Sequence, residues 1–478
     1  MCKSRKNMIF LATFAILLVT GSGSAFSMEE EEEEKTYTLE DLRAALYANN
    51  TDIRKQGEEY YRSTLDLTDA WWTLGPTVSA TAAGNYMFNP PSVNYTIDSD
   101  EIIDAIDWPV IAGQSTRPSA SDKSLTIDEE LDHTLYNFGL SLQQPIFTWG
   151  KIANSIKLYQ GISEARRMQL EGTEHQLETE LETRLCALHY LKQILLILEE
   201  EKEYASQLVS FTELAEKNGM MVHQEVLDAK MQAKQIEITE QNVKEEVSSQ
   251  LLELQSLTRI QDLTLENIRF TVSDDEILRI INQDRAAVLE KALFGDSDTM
   301  RLLLQTEAVR EIAVKIAKGS VNWKPDIALQ LSLSYSGSKF PFFEEGWQDA
   351  DDYSLNLTLG ISTTVWDGGR RVRDVSRRLS EERSAQIDTD DARDQIRHTL
   401  ESQWNTVDVC TMRMEYQELK IETALLKVEQ QELMYKSGYS AESDVLLAKI
   451  DWCNERIGLV QESLKRSTAA YTIRYLSE

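Results

Sequence analysis

The sequence predicts a mainly α protein with a membrane β-sheet, built as an internal twofold repeat of two strands followed by a long helical hairpin. Three observations carry this reading. First, Leu140 to Ile156 reads LSLQQPIFTWGKIANSI and Leu359 to Val375 reads LGISTTVWDGGRRVRDV, so an offset of 219 aligns Ile146 with Val365, Phe147 with Trp366, Gly150 with Gly369 and Lys151 with Arg370. The same offset places Lys217-Asn218-Gly219 on Lys436-Ser437-Gly438, and a repeat has to be settled before any fold is assigned. Second, the eight prolines fall at 76, 90, 91, 109, 118, 145, 325 and 341. Proline costs about 3 kcal/mol inside a helix, so the proline-free tracts Ile146–Lys324 and Phe342–Glu478 are where long helices can run. Third, the prolines bracket four short segments that alternate apolar and polar residues with the period of a strand.

Taken in order, residues 1–27 read as a secretory signal: Lys3, Arg5 and Lys6, an apolar run from Met8 to Thr20, and small residues up to Ala25. Cleavage is expected after Ala25 or Ser27. The apolar run is shorter than the ~20 residues a spanning helix needs. Residues 28–37 form an acidic N-terminus whose run Glu29 to Glu34 repels itself and predicts disorder. Repeat 1 then covers 38–257. It opens on a helix with Thr38 as N-cap and Asp41 three residues on, close to a capping box.

Strands follow at about 77–88, with Val78, Ala80, Ala82, Tyr86 and Phe88 on one face, and at about 135–147, with Tyr136, Phe138, Leu140, Leu142 and Ile146. Between them Asn89–Thr134 is polar and reads as an exposed loop. A helix from Lys151 to about Lys217 would be ~100 Å long. Its leucines at 170, 177, 181, 188, 191, 195 and 198 follow the 3-4 spacing of helix pairing. Asn218-Gly219 ends it, glycine supplying the left-handed cap, and the chain returns in a second helix, the hairpin spanning about 151–257.

Residues 258–296 lose the heptad and mix short structural elements. Repeat 2, 297–478, carries strands at about 326–337 and 353–366, a polar loop at Gly337–Asp352, and a hairpin at about 370–476 that turns at Ser437-Gly438. The echo of the strand-to-helix passage lacks Pro145, so its boundary is expected to be less sharply kinked.

Composition limits function. The net charge of −31 becomes −34 once Lys3, Arg5 and Lys6 leave with the signal, which disfavours nucleic acid as a partner. Of the four cysteines, 186, 410 and 453 survive cleavage of the signal, an odd number scattered on helices and unlike a disulfide framework. No phosphate loop, dinucleotide fingerprint, HExxH, CxxC or GxSxG is present, and the histidines at 133, 175, 189, 223 and 398 lack the spacing of helix-borne ligands. Neither an enzyme, a cofactor nor a metal site is expected.

Tryptophans 71, 72, 149, 323 and 366 lie where strands adjoin helices, which in an antiparallel sheet is one side. Lipid-facing barrels carry such aromatic girdles at the membrane interface, although packing of the sheet–helix junction would also use them. Four membrane strands cannot close a barrel, because the smallest has eight, and an open edge in lipid leaves backbone groups unpaired. Either the sheet lies outside a membrane, or several copies close it together.

The repeat, the motif LSLQQPIFTWGK with its echo ISTTVWDGGR, and the turn YKSGYSAESDVLLAK resemble the TolC-type outer-membrane efflux family. The resemblance spans Thr38 to Leu476. It implies a homotrimer whose copies each give four strands to one 12-stranded β-barrel in outer-membrane lipid, continued by a periplasmic α-helical barrel. It further implies the exit duct of a tripartite efflux or type I secretion system, passively conducting substrates. The helix tips at Asn218, Gly219, Ser437 and Gly438 would dock a periplasmic adaptor protein, which connects to an inner-membrane transporter of RND, ABC or MFS type. By the same resemblance Asp444 falls on the acidic ring that closes the tunnel, with Glu225 its counterpart and Asp228 one turn beyond. The counterpart of Asp228 is Leu447, and Ser440 stands where a basic residue is common, which leaves the gate's charge open. The residues alone also allow a non-channel coiled-coil scaffold of the periplasm or cell surface.

Overall fold

The computed structural model describes residues 35–106, 110–111, 114–115, 117–118, 124–130, 132–294, 297–321, 324–347 and 353–477. The signal, the glutamate run and Trp323 lie outside the described residues.

The chain opens with β1 (Tyr37–Thr38) and α1 (Leu39–Asn49), whose capping box is complete: Thr38 Oγ1 accepts from Asp41 N, and Asp41 Oδ2 accepts from Thr38 N at 3.0 Å. Asn50 then caps α2 (Thr51–Trp72) by accepting from the amides of Asp52 and Ile53. β2 (Thr77–Tyr86) leads into β3 (Ser92–Asp98), α3 (Ser99–Ala105), β4 (Val110–Ile111), β5 (Gln114–Ser115) and β6 (Ser124–Glu130) before β7 (Thr134–Phe147). The stretch expected to be loop is therefore partly sheet, since β3 pairs antiparallel with β6 from Ser92↔Glu130 to Asp98↔Ser124. Ser92–Asp98 alternates Val, Tyr and Ile with polar residues, a strand signal that the surrounding Pro, Ser and Asp mask.

α4 (Lys151–Lys217) and α5 (His223–Thr258) form the first hairpin, of 67 and 36 residues. β8 (Ile268–Arg269), α6 (Asp274–Ile281), α7 (Arg285–Phe294) and α8 (Asp298–Val321) lead to β9 (Asp326–Gly337) and β10 (Tyr353–Ser362). The last hairpin, α9 (Arg370–Lys436) and α10 (Glu442–Ser477), is again of 67 and 36 residues.

The core is strung along the helices rather than gathered at one point. Leu42, Leu46, Leu181, Leu185 and Leu254 join α1, α4 and α5. Further along, Leu198, Leu208, Ile236, Leu446, Ile450 and Cys453 join α4, α5 and α10. α6 and α7 pack Ile277, Val288 and Ala292 against Leu400, Trp404 and Ile473 of α9 and α10. Each fully buried leucine contributes roughly 1.5–3 kcal/mol. The heptad leucines all enter these seams, Leu170 and Leu195 at the margin. Glu182, nearly buried on α4, accepts from Arg43 of α1 at 2.6 Å and from Arg474 of α10, tying the two ends of the chain to one helix.

Candidate functional site

A four-stranded antiparallel sheet in the order β10-β9-β7-β2 is the feature the helices carry at one end. Its registers align the alternation of all four strands. Val78 pairs with Leu142, Leu142 with Leu331 and Leu331 with Leu357; the next row runs Ala80, Leu140, Leu333, Leu355. Directly opposed residues share a face, and period two sends their neighbours to the other one. The alternate rows are accordingly polar: Ser79, Ser141, Ser332, Asn356, then Thr77, Gln143, Gln330, Thr358. Ser79 and Ser141 hydroxyls lie 2.7 Å apart on that face. Toward β10 the apolar face is open among the described residues, and Leu355, Leu357, Leu359 and Ile361 are each about two-thirds exposed. The edges β2 and β10 each have one partner strand.

The strand-to-helix boundary is pinned by side chains. Trp149 adopts φ 53 and Gly150 φ 80, turning the chain from β7 into α4. The Trp149 indole N–H donates to Pro325 O at 2.9 Å, Lys324 Nζ lies 4.9 Å over its ring, and Lys151 pairs with Asp326 at 2.8 Å. Pro145 sits beside a register shift before Phe147, where the missing donor does not interrupt a regular ladder.

The second boundary differs from expectation in two ways. β10 stops at Ser362 rather than 366, because its partner β9 begins at Asp326 and nothing in one chain continues the ladder. Its turn is not softened by the absent proline: Gly368 and Gly369, at φ 67 and 77, repeat the two consecutive left-handed residues. Trp71, Trp72 and Trp366 are exposed at this same end of the sheet, Trp366 by 83%.

At the other extreme of the hairpins the two tips share one hydrogen-bond pattern. Met220 N donates to Ala215 O and Gly219 N to Glu216 O; Tyr439 N donates to Met434 O and Gly438 N to Tyr435 O. This is the Schellman closure, with Gly219 at φ 73 and Gly438 at φ 77. Asn218 and Ser437 are the preceding C-cap residues. Met220, Val222 and Tyr439 project into solvent beside them.

Glu225 and Asp444 each stand at the third position of the returning helix, where a carboxylate faces the helix N-terminus. The two are not equivalent. Asp444 Oδ2 accepts from Ala441 N at 3.2 Å and from the Ser440 hydroxyl at 2.9 Å, so it caps its own helix. Glu225 and Asp228 are exposed, and among the described residues neither is in an ion pair. The capping role of Asp444 was readable from its place three residues after Ala441.

No group of His, Cys, Asp and Glu suited to a metal ion occurs among the described residues. Cysteines 186, 410 and 453 are free thiols in the helical seams, and burial pushes Cys186 and Cys453 up to about 12. A second aromatic cluster, at the loop end of the sheet, was not anticipated. There Phe138, Tyr335 and Tyr353 form a row joined by Phe340 and Trp347. From Ile327 to Tyr335 the band between the two aromatic ends measures roughly 27 Å at 3.4 Å per residue.

Residues 113–258 match the family model described as outer membrane efflux protein. That match covers less than a third of the chain. No curated protein sequence matches. Among solved structures, the chain resembles the outer membrane protein VceC of Vibrio cholerae at TM-score 0.68 and 14% identity, over 92% of this chain and 96% of that one. It also resembles the Campylobacter jejuni CmeC outer membrane channel at 0.69 and 13% identity, over 97% and 93%. The open state of the Neisseria gonorrhoeae MtrE outer membrane channel matches at 0.67 and 12%, over 92% and 88%. The fold of the chain is that of these channels.

Proposed function

We propose that the protein is the passive exit duct of a tripartite efflux or type I secretion system, a homotrimer whose copies contribute four strands each to a 12-stranded barrel. The row-by-row division of the sheet into an apolar and a polar face is the observation that carries this reading. Such a sheet with two open edges has a low-energy place in lipid only when copies join β2 to β10 and close the ladder. The ~27 Å band suits the ~25 Å apolar height of outer-membrane barrels. Trp71, Trp72, Trp149, Trp323 and Trp366 would mark its periplasmic interface. The equal helix lengths and the boundary turns 219 residues apart support a duplicated unit. Each 67-residue helix, ~100 Å long, would extend the duct into the periplasm.

In this assembly the tips at Asn218, Gly219, Ser437 and Gly438 are the surface for a periplasmic adaptor, itself joined to an inner-membrane transporter. Glu225, Asp228 and Asp444 would surround the tunnel entrance. Folded trimer reconstituted into planar bilayers is expected to conduct ions in discrete steps. Absence of conductance from trimer that retains its helical content would refute the duct.

A further inference from the structure

Residues 338–347, which follow β9, fold down onto the apolar face of the sheet instead of running away from it. Phe340 packs edge-on against Tyr136 and Phe138, with ring centroids 5.1 and 5.6 Å apart. Phe138 belongs to the apolar rows, and Tyr136 precedes it by one strand period. The segment is held by its own bonds: the Tyr335 hydroxyl donates to Lys339 O, and Glu344 accepts from Phe340 N at 2.8 Å. Pro341 is buried, while Phe342 and Phe343, whose rings meet Trp347 and Phe340, remain 79% and 84% exposed. Phe342 also adopts φ 68, a left-handed conformation that strains a residue bearing a side chain. In water each exposed phenylalanine also forfeits the stabilisation of burial. A cavity of about 410 Å³ lies under the segment, walled by Ala82, Phe138, Leu140 and Phe340.

We infer that Phe340–Phe343 is a wedge that enters the acyl chains of the outer leaflet, and that the cavity beneath it accepts a lipid acyl chain. The occupant follows from continuity: the cavity opens on the same rows, through Leu140 and Leu333, that form the membrane-facing band. Glu344 and Glu345, exposed directly after the wedge, return the chain to water. The inference rests on the membrane placement of the sheet, and its test separates the two.

Because Cys186, Cys410 and Cys453 are buried, and Cys2 lies in the expected signal and is replaced by serine in the labelled protein, an introduced surface cysteine can be labelled selectively. Phe343→Cys, with Phe342→Cys as a second variant, is labelled with an environment-sensitive fluorophore, as is Leu357→Cys at mid-strand. The full-length trimer is then reconstituted into phosphatidylcholine vesicles with or without brominated acyl chains. The labels at 343 and 342 are expected to lose emission to brominated chains as the label at 357 does, and to keep it in aqueous iodide. Loss of emission to iodide at 343 and 342, with lipid quenching retained at 357, overturns the wedge and leaves the membrane reading intact. Quenching at 343 and 342 by neither agent places them against protein and overturns it too. Lipid quenching at none of the positions removes the membrane reading itself.

Discussion

Glu201 lies in the seam between α4 and α10 with 2% of its surface exposed, and burial pushes its carboxyl up to about 7, the Asn454 side chain opposing the shift. The neighbouring charges are already paired, Glu200 with Arg456 at 2.6 Å, and the adjacent Cys453 thiol stays protonated through the neutral range. Between about 4.5, the ordinary carboxyl value, and about 7 the unfolded chain has released a proton that the folded chain keeps. Stability from this residue is therefore highest below 4.5, falls as pH rises through that window, and stays low above it. Glu201→Gln removes the titration and keeps an amide for Asn454. The variant should be more stable than the parent at pH 8, by roughly 1–3 kcal/mol on the scale of an uncompensated buried polar group. Melting followed by circular dichroism across pH checks this: the gain must shrink as pH falls toward 4.5, and a gain independent of pH would assign it to packing instead.

At the scale of one strand, β10 offers the sharpest contrast. Leu357 and Thr358 are adjacent, yet period two places Leu357 in the apolar row with Leu331 and Thr358 in the polar row with Gln330. Arginine on a lipid-facing midplane position costs about 2–4 kcal/mol, whereas a lumen-facing position is hydrated. Leu357→Arg should accumulate poorly in outer-membrane fractions and Thr358→Arg should accumulate normally; equal yields of the two would invalidate the assignment of faces.

The alternation behind this prediction was legible in the sequence because strand periodicity and burial agree along each segment. Helix ends were legible for a similarly local reason, since Lys217-Asn218-Gly219 and Lys436-Ser437-Gly438 each supply a glycine for the left-handed cap. What escaped was non-local. The β3–β6 pairing joins Ser92–Asp98 to Ser124–Glu130 across a polar stretch, and the end of β10 is set by where β9 begins. Likewise Phe340, Phe342 and Phe343 read as loop residues until the fold of that loop onto Phe138 gives them a surface.

For the whole molecule, the proposed duct would have its closure at the helix tips. One chain contributes Glu225 and Asp444 at equivalent places after Gly219 and Gly438, so in the proposed trimer three copies around an axis would present a ring of like charge that attracts cations. Replacing both by alanine would confound two effects, because Asp444 also accepts from Ala441 N and Ser440 at the start of α10. Losing such an N-terminal carboxylate contact costs a helix about 0.3–1 kcal/mol in its own right. Glu225→Gln with Asp444→Asn keeps the acceptor oxygen and removes the charge alone. Each carboxylate at close range is worth about 1 kcal/mol to a unit charge in water, and more to a multivalent one. The double variant should therefore raise the half-blocking concentration of a multivalent cation, added on the tip side of a planar bilayer, by about tenfold or more. Its melting temperature should match the parent. Unchanged block would remove both residues from the entrance and leave Asp444 as a helix cap, whereas weakened block accompanied by a lowered melting temperature would trace the change to the turn that Asp444 holds.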